Sequence, residues 1–155
     1  MTPSPHDPIL VLTADSQVNS LVETLLNPEG FNVKIVNQIL EAKKTINEGL
    51  PRLVILGEKL PDGSGVAFAR ELSDLAPTTP ILLFVYQESA PIMKQAIQAG
   101  VFDTFTLPIR SEDLLQLVRN ALAIGDRRRG WMQKETRLAT ASLRSQMSDL
   151  ELLGE

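Results

Sequence analysis

The sequence predicts an α/β fold, a doubly wound five-stranded parallel sheet with a C-terminal helical extension. Three observations predict it. Five short apolar runs, at 9–12, 33–36, 53–56, 81–85 and 103–107, have strand length and are rich in Val, Ile, Leu and Phe. Several are near-continuous rather than alternating, as strands covered on both faces are. Amphipathic helical stripes lie between the runs, and a long helix-forming segment follows the last. Five alternations of strand and helix imply a parallel sheet with right-handed crossovers and helices on both faces.

The helices follow in order. Val18, Leu21, Val22 and Leu25 fall at i, i+3, i+4 and i+7, and Ile39, Ala42 and Ile46 repeat the step. Phe68, Leu72 and Leu75 give the third stripe, Ile92, Met93, Ala96 and Ile97 the fourth, and Leu114, Leu115, Val118 and Leu122 the fifth. Asn27-Pro28 with Gly30 is expected to end the first helix, Gly49 the second and Gly100 the fourth, each glycine as a left-handed cap. Ser111, followed by Glu112 and Asp113, reads as an N-cap with acidic residues facing the positive end of the helix dipole.

This pattern divides the chain into a tail at 1–8 with three prolines, predicted to be disordered, a domain at 9–124, and a helical linker at 125–155. A unit of that size buries enough surface to be stable without staples. The chain has no cysteine, no signal peptide and no apolar run near the ~20 residues of a membrane span, so no membrane association and a cytoplasmic location are expected. Charge is uneven: residues 126–155 hold six basic and five acidic groups, leaving nine basic and fourteen acidic in residues 1–125. Such a body repels a phosphate backbone, and Arg127-Arg128-Arg129 reads as a solvated helix face, so no nucleic-acid partner is expected.

Catalytic patterns are missing. The one histidine, His6, lies in the tail and reads as solvated, and with no cysteine there is no Ser-His-Asp, Cys-His or metal-ligand spacing. PDGSG, at 61–65, lacks the Gly-Lys-Ser/Thr ending of a phosphate-binding loop and the dinucleotide fingerprint. Asp62 there reads as the polar occupant of a turn, Glu58 as pointing into solvent, and Trp131, the only tryptophan, as a helix-packing anchor. No enzyme activity, metal or cofactor is expected.

Beyond Ala123 the chain runs about thirty residues without proline, carrying an apolar series at Met132, Ala139, Leu143, Met147, Leu150 and Leu153. Its last spacings are four, four, three and three, a helical stripe with coiled-coil character, although Thr136 and the four-four stutter keep it from a clean heptad. Gly125 and Gly130 break or weaken it. The stripe is expected to pair two copies of the chain in a homodimer, the alternative being a helix folded back on its own domain. The ending LELLGE reads as an unfinished pattern, as of the front of a longer protein.

One more pattern concerns the ends of the strands. Pro61 and Gly65 follow the third strand, Pro80 precedes the fourth, Ala99-Gly100 follows the fourth helix, and Pro108 follows the fifth strand. In this order and spacing, over about Ile9 to Ala123, they resemble the receiver domains of bacterial response regulators, a flavodoxin-like fold. The resemblance implies that Gly57 stands at the phosphoacceptor aspartate, and that Thr13 and Ala14 stand at the acidic pair that holds Mg²⁺, leaving Asp15 just beyond. It places Val85 at the Thr or Ser that binds the phosphoryl group, Leu107 at the lysine, and Thr104 at the switch aromatic. It also implies a cis bond before Pro108, which with Pro61 and Gly65 shapes the loops.

What the resemblance implies is therefore a degenerate, pseudo-receiver member: a phosphorylation-independent interaction and signal-relay module of a bacterial two-component phosphorelay protein, working with protein partners of its pathway. Two alternatives stand beside it. One is a ligand sensor using a vacated pocket lined by Ala14, Val85 and Leu107; the other is a residual phosphoacceptor acting through Asp15 or Asp62.

Overall fold

Apolar residues that alternate between the two faces of a strand must be covered twice, and the fold does this with helices above and below one sheet. The computed structural model describes the backbone of residues 7–153 and the side chains of residues 7–132. His6 and most of the N-terminal tail lie outside the described residues, while the Pro8 carbonyl already accepts from the Arg52 N–H at 3.1 Å.

In chain order the elements are β1 (Ile9–Leu12), α1 (Ser16–Leu26), β2 (Val33–Val36), α2 (Ile39–Glu48) and β3 (Leu53–Gly57). A small hairpin of β4 (Lys59–Leu60) and β5 (Gly63–Ser64) precedes α3 (Gly65–Leu75), then come β6 (Ile81–Phe84), α4 (Ala90–Gln98), β7 (Asp103–Phe105) and α5 (Ser111–Leu153). The main sheet has the order β2-β1-β3-β6-β7 and all its pairs are parallel. All carboxyl ends of its strands therefore open on one edge.

Alternate strand residues feed two cores. Leu10, Leu12, Val54, Leu56 and Leu83 pack with Ala42 of α2, Phe68 and Leu72 of α3 and Ala96 of α4. Ile9, Val11, Ile55, Leu82 and Phe105 pack with Val18 and Val22 of α1 and Leu114 and Val118 of α5. Each large side chain so buried contributes about 1.5–3 kcal/mol of transfer free energy.

The stripes need correction at two helix ends. Leu75 is 69% exposed and Ile97 is 74% exposed, because each lies in the last turn of its helix, where the next residues inward, Ala76 and Ala99, are the buried ones. Gly30 and Gly100 adopt the left-handed conformation expected of them, both at φ 84°, whereas Gly49 does not: at φ 174° it is extended and leads the chain directly towards β3. The Leu107-Pro108 bond is cis.

Helix α5 runs unbroken for 43 residues through Gly125 and Gly130. Gly125 is buried, and a Cβ there would stand 3.0 Å from Pro80 Cδ, so this glycine is a point of close approach rather than a break. Four residues on, Arg129 pairs with Asp126, and burial followed by the charge of Arg52 lowers its pKa, against the pull of Asp7. Among the described residues, no helix is long and apolar enough to cross a membrane.

Candidate functional site

Open α/β sheets bind ligands beyond the carboxyl ends of their strands, and Thr13, Ala14, Asp15, Gly57, Val85 and Leu107 all lie in the loops or strand ends at that edge. Thr13 is buried, and a Cβ on Gly57 would stand 3.2 Å from Thr13 Cβ, so the threonine fills the space above the glycine. Thr13 Oγ1 turns back to accept from the Asp15 N–H at 2.8 Å.

Asp15 is the N-cap of α1. Its Oδ1 accepts from the N–H groups of Gln17 at 2.9 Å and Val18 at 3.1 Å, two of the helix's otherwise orphaned donors. Ala14 is exposed and brings no donor atom. Val85 is fully buried in the layer under α2, α3 and α4, while Leu107 packs against the layer under α1 and α5. The two aliphatic residues thus belong to different cores. Thr104, on β7, donates its hydroxyl to Met93 Sδ at 3.4 Å.

Glu58 does not point into solvent. Its N–H donates to the Phe84 carbonyl at 3.0 Å, continuing the ladder past Gly57, and its Oε1 accepts from the Tyr86 N–H at 2.8 Å. Tyr86 is thereby the unforeseen centre of the edge. Its ring meets Phe84 edge-on at 4.9 Å, Lys59 Nζ lies 5.5 Å from its centroid, and its carbonyl accepts from Thr106 Oγ1 at 3.3 Å. The phenol is pushed above its ordinary pKa by desolvation first, then by the charge of Asp15, a hydrogen bond to Asp15, and the charge of Glu58. Neither the strand pattern nor a motif in the sequence links Glu58 to Tyr86, 28 residues on.

The loop beyond β3 is pinned. Gly65 N–H donates to the Glu58 carbonyl at 2.9 Å, and a Cβ at Gly65 would fall 1.8 Å from the Gly57 carbonyl oxygen, so only glycine fits. Pro61 and Asp62 form the exposed turn of the β4–β5 hairpin. Asp62 does more than occupy it, as its carboxylate accepts from the N–H groups of Ile39 at 2.8 Å and Leu40 at 3.1 Å and caps α2, whose own N-cap residue Gln38 makes no side-chain cap.

This donor set does not fit a divalent cation. Mg²⁺ needs near-octahedral oxygen ligation anchored by carboxylates; here Asp15 is committed to the α1 cap and Tyr86, and Glu58 to the Tyr86 N–H. Among the described residues, no group of three or more His, Cys, Asp or Glu is placed to hold a metal ion.

At the opposite edge of the sheet, Trp131 is 64% exposed, yet with Ile124 and Met132 it lines a groove against Pro77 and Thr78 of the body. Met132, the first residue of the terminal stripe, is 45% exposed; the side chains of Ala139, Leu143, Met147, Leu150 and Leu153 lie outside the described residues.

A family model described as the response regulator receiver domain matches residues 6–119. The response regulator protein TodT of Pseudomonas putida is 29% identical over 121 residues, covering 78% of this chain and 53% of TodT. The uncharacterized transcriptional regulatory protein YkoG of Bacillus subtilis is 30% identical over 114 residues, covering 74% of this chain and 50% of YkoG. The chain thus spans about half the length of these curated relatives. Among solved structures, a putative response regulator from Chloroflexus aurantiacus superposes with a TM-score of 0.70 at 26% identity, covering 76% of this chain and 98% of that one. NtrX from Brucella abortus reaches 0.75 at 24% identity, with coverage of 90% and 30%.

Proposed function

Because the chain belongs to the response regulator receiver domain family and a glycine closes the strand where that family's phosphoacceptor is expected, we propose that it is a phosphorylation-independent receiver. In this reading it is a protein-interaction and signal-relay module of a bacterial two-component phosphorelay protein. The observation that carries the reading is Gly57 itself, which ends β3 with no side chain and lies where an added Cβ would stand 3.2 Å from the buried Thr13.

Three further features support it. The carboxylates nearest that contact are spent on backbone donors. The loop after β3 is fastened to α2 through Asp62, which suits a scaffold that presents a fixed surface. Helix α5 leaves the body without a break, giving a rigid connection along which a partner's engagement of the body can be passed on. We assign its protein partners to the same signalling pathway, place the module in the cytoplasm, and assign the terminal stripe Met132, Ala139, Leu143, Met147, Leu150 and Leu153 to a homodimer contact. The acidic balance of residues 1–125 argues against nucleic acid as a partner.

Acetyl phosphate with Mg²⁺, followed by intact-mass measurement, tests the reading. An unchanged mass is expected. A stoichiometric, hydroxylamine-labile gain of one phosphoryl group would overturn it.

A further inference from the structure

Where α5 leaves the body it forms a groove with it. Ile124, Arg127, Arg128 and Trp131 fall at i, i+3, i+4 and i+7, so they share one face of the helix. Pro77 and Thr78, in the turn between α3 and β6, form the other wall, and with Met132 these residues line an open groove of about 410 Å³. Both walls are fixed by the body's own contacts. The Thr79 N–H donates to the Ala76 carbonyl at 3.0 Å and its hydroxyl to the Pro51 carbonyl at 3.0 Å, while Gly125 brings the helix close to Pro80. The groove lies at the amino ends of the strands, on the edge opposite Gly57.

We propose that this groove docks an acidic amphipathic segment of a partner protein, which sets large apolar side chains between Trp131 and Pro77 and carboxylates beside Arg127 and Arg128. The proposal rests on the interaction-module reading above, whose partner class it names, and uses nothing of the Gly57 edge. A segment seated here touches the body and the projecting helix at once, so its binding bears directly on how α5 is held.

Residue type and charge select this occupant. Trp131 is 64% exposed and Met132 45%, and tryptophan, methionine and arginine are the residues that interface centres favour. Residues 1–125 hold fourteen acidic and nine basic groups, so Arg127 and Arg128 form a local basic rim on an acidic body. Among the described residues neither pairs with a carboxylate, and Asp126 is taken by Arg129. An acidic segment complements that rim, whereas a basic one is repelled by it. Nucleic acid fits less well. The Arg129 side chain is only 11% exposed and feels the charges of Arg52 and Asp7, which leaves two arginines for phosphates while the body repels the rest of a backbone. A small molecule fits less well too, because pockets for such ligands bury most of the ligand surface and this groove is open.

Trp131 is the only tryptophan in the chain, so its fluorescence reports on the groove directly. The full chain is titrated with a helical peptide carrying leucines at i, i+3, i+4 and i+7 and glutamates elsewhere, with the same peptide bearing lysines for the glutamates, and with a single-stranded oligonucleotide. The acidic peptide should shift the emission to the blue and saturate, and the lysine peptide should not bind. Arg127→Glu with Arg128→Glu should weaken the acidic peptide by about tenfold or more while leaving the far-ultraviolet circular dichroism and Tm near those of the wild type. No shift with the acidic peptide, or equal binding of both peptides, would overturn the proposal. An oligonucleotide that binds more tightly than the acidic peptide would assign the face to nucleic acid and overturn it as well. An emission that already shifts with the chain's own concentration, and that the peptide no longer moves, would make a second copy the occupant in place of a partner. None of these outcomes depends on the response to acetyl phosphate, so failure here and failure of phosphorylation independence are told apart.

Discussion

Asp62 holds the start of α2 from a turn 23 residues further along the chain, accepting from the Ile39 N–H at 2.8 Å. That hydrogen bond is the first cause lowering the Asp62 pKa; desolvation opposes it, and the Leu40 N–H and the charge of Lys43 add to it. The cap's stabilisation is therefore fully present above the unfolded carboxylate pKa of about 3.9 and is lost as pH falls through the lower folded value. Asp62→Ala should lower Tm by a few degrees near neutral pH, and the gap from the wild type should close in acid. Thermal melts of both proteins across pH check this; a gap that widens in acid would refute it.

Gly65 and Gly57 make opposite demands on a methyl group. Gly65→Ala drives a Cβ into the Gly57 carbonyl, with nothing flexible to yield, and should cost about 3 kcal/mol or prevent folding. Gly57→Ala meets only the Thr13 side chain at 3.2 Å and should cost about 1 kcal/mol. Urea unfolding of the two variants measures the contrast, and equal midpoints would contradict this view of the loop.

Gly57→Asp alone should not make an acceptor. The new Cβ would press on Thr13 at 3.2 Å, and the carboxylate gains no carboxylate pair for a metal and no lysine at Leu107. Phosphoryl uptake from acetyl phosphate, followed by intact mass, is expected to stay at the wild-type level; rapid labelling of this variant would show that the edge retains more of its chemistry.

The parts of the fold legible in the sequence were those made by long apolar patterns. The runs at 9–12 and 33–36 are β1 and β2 to the residue, and the others differ from β3, β6 and β7 by one or two residues at their ends. The β4–β5 hairpin was not legible, because two residues a side, Lys59-Leu60 and Gly63-Ser64, carry no alternation to read. The cap from Asp62 was hidden for a different reason: a cap is sought beside its helix, and this one arrives through tertiary packing. Glu58 and Tyr86 were missed because neither the strand pattern nor a motif links residues 28 apart. At the candidate site, residue identities marked Gly57, Val85 and Leu107, but only packing could divide Val85 and Leu107 between two cores.

Tyr86 is the only tyrosine in the chain, so its ionisation can be followed by ultraviolet absorbance without interference from another phenol. Desolvation and then the neighbouring Asp15 carboxylate disfavour the phenolate. The transition should therefore be centred above the ordinary value of about 10, and Asp15→Asn should move it down towards that value. A midpoint unmoved by the substitution would mean that the Asp15 contact is absent in solution.

The last prediction concerns where the chain can be shortened. A cut near Ile124 would remove Gly125, which lies close to Pro80, and Arg129, whose mostly buried side chain feels the charges of Arg52 and Asp7, so it should destabilise the body as well as remove the stripe. A cut after Met132 keeps both contacts and the groove against Pro77 and Thr78. That shortened chain should fold with nearly the wild-type Tm and be monomeric by sedimentation, whereas the full chain should be dimeric. Each large apolar residue of the stripe that a partner covers contributes about 1.5–3 kcal/mol, so losing Leu143, Met147, Leu150 and Leu153 together should abolish association at micromolar concentration. Dimers that survive the cut would move the interface onto the receiver body, and a full chain monomeric from the start would favour a terminal helix folded back on its own domain.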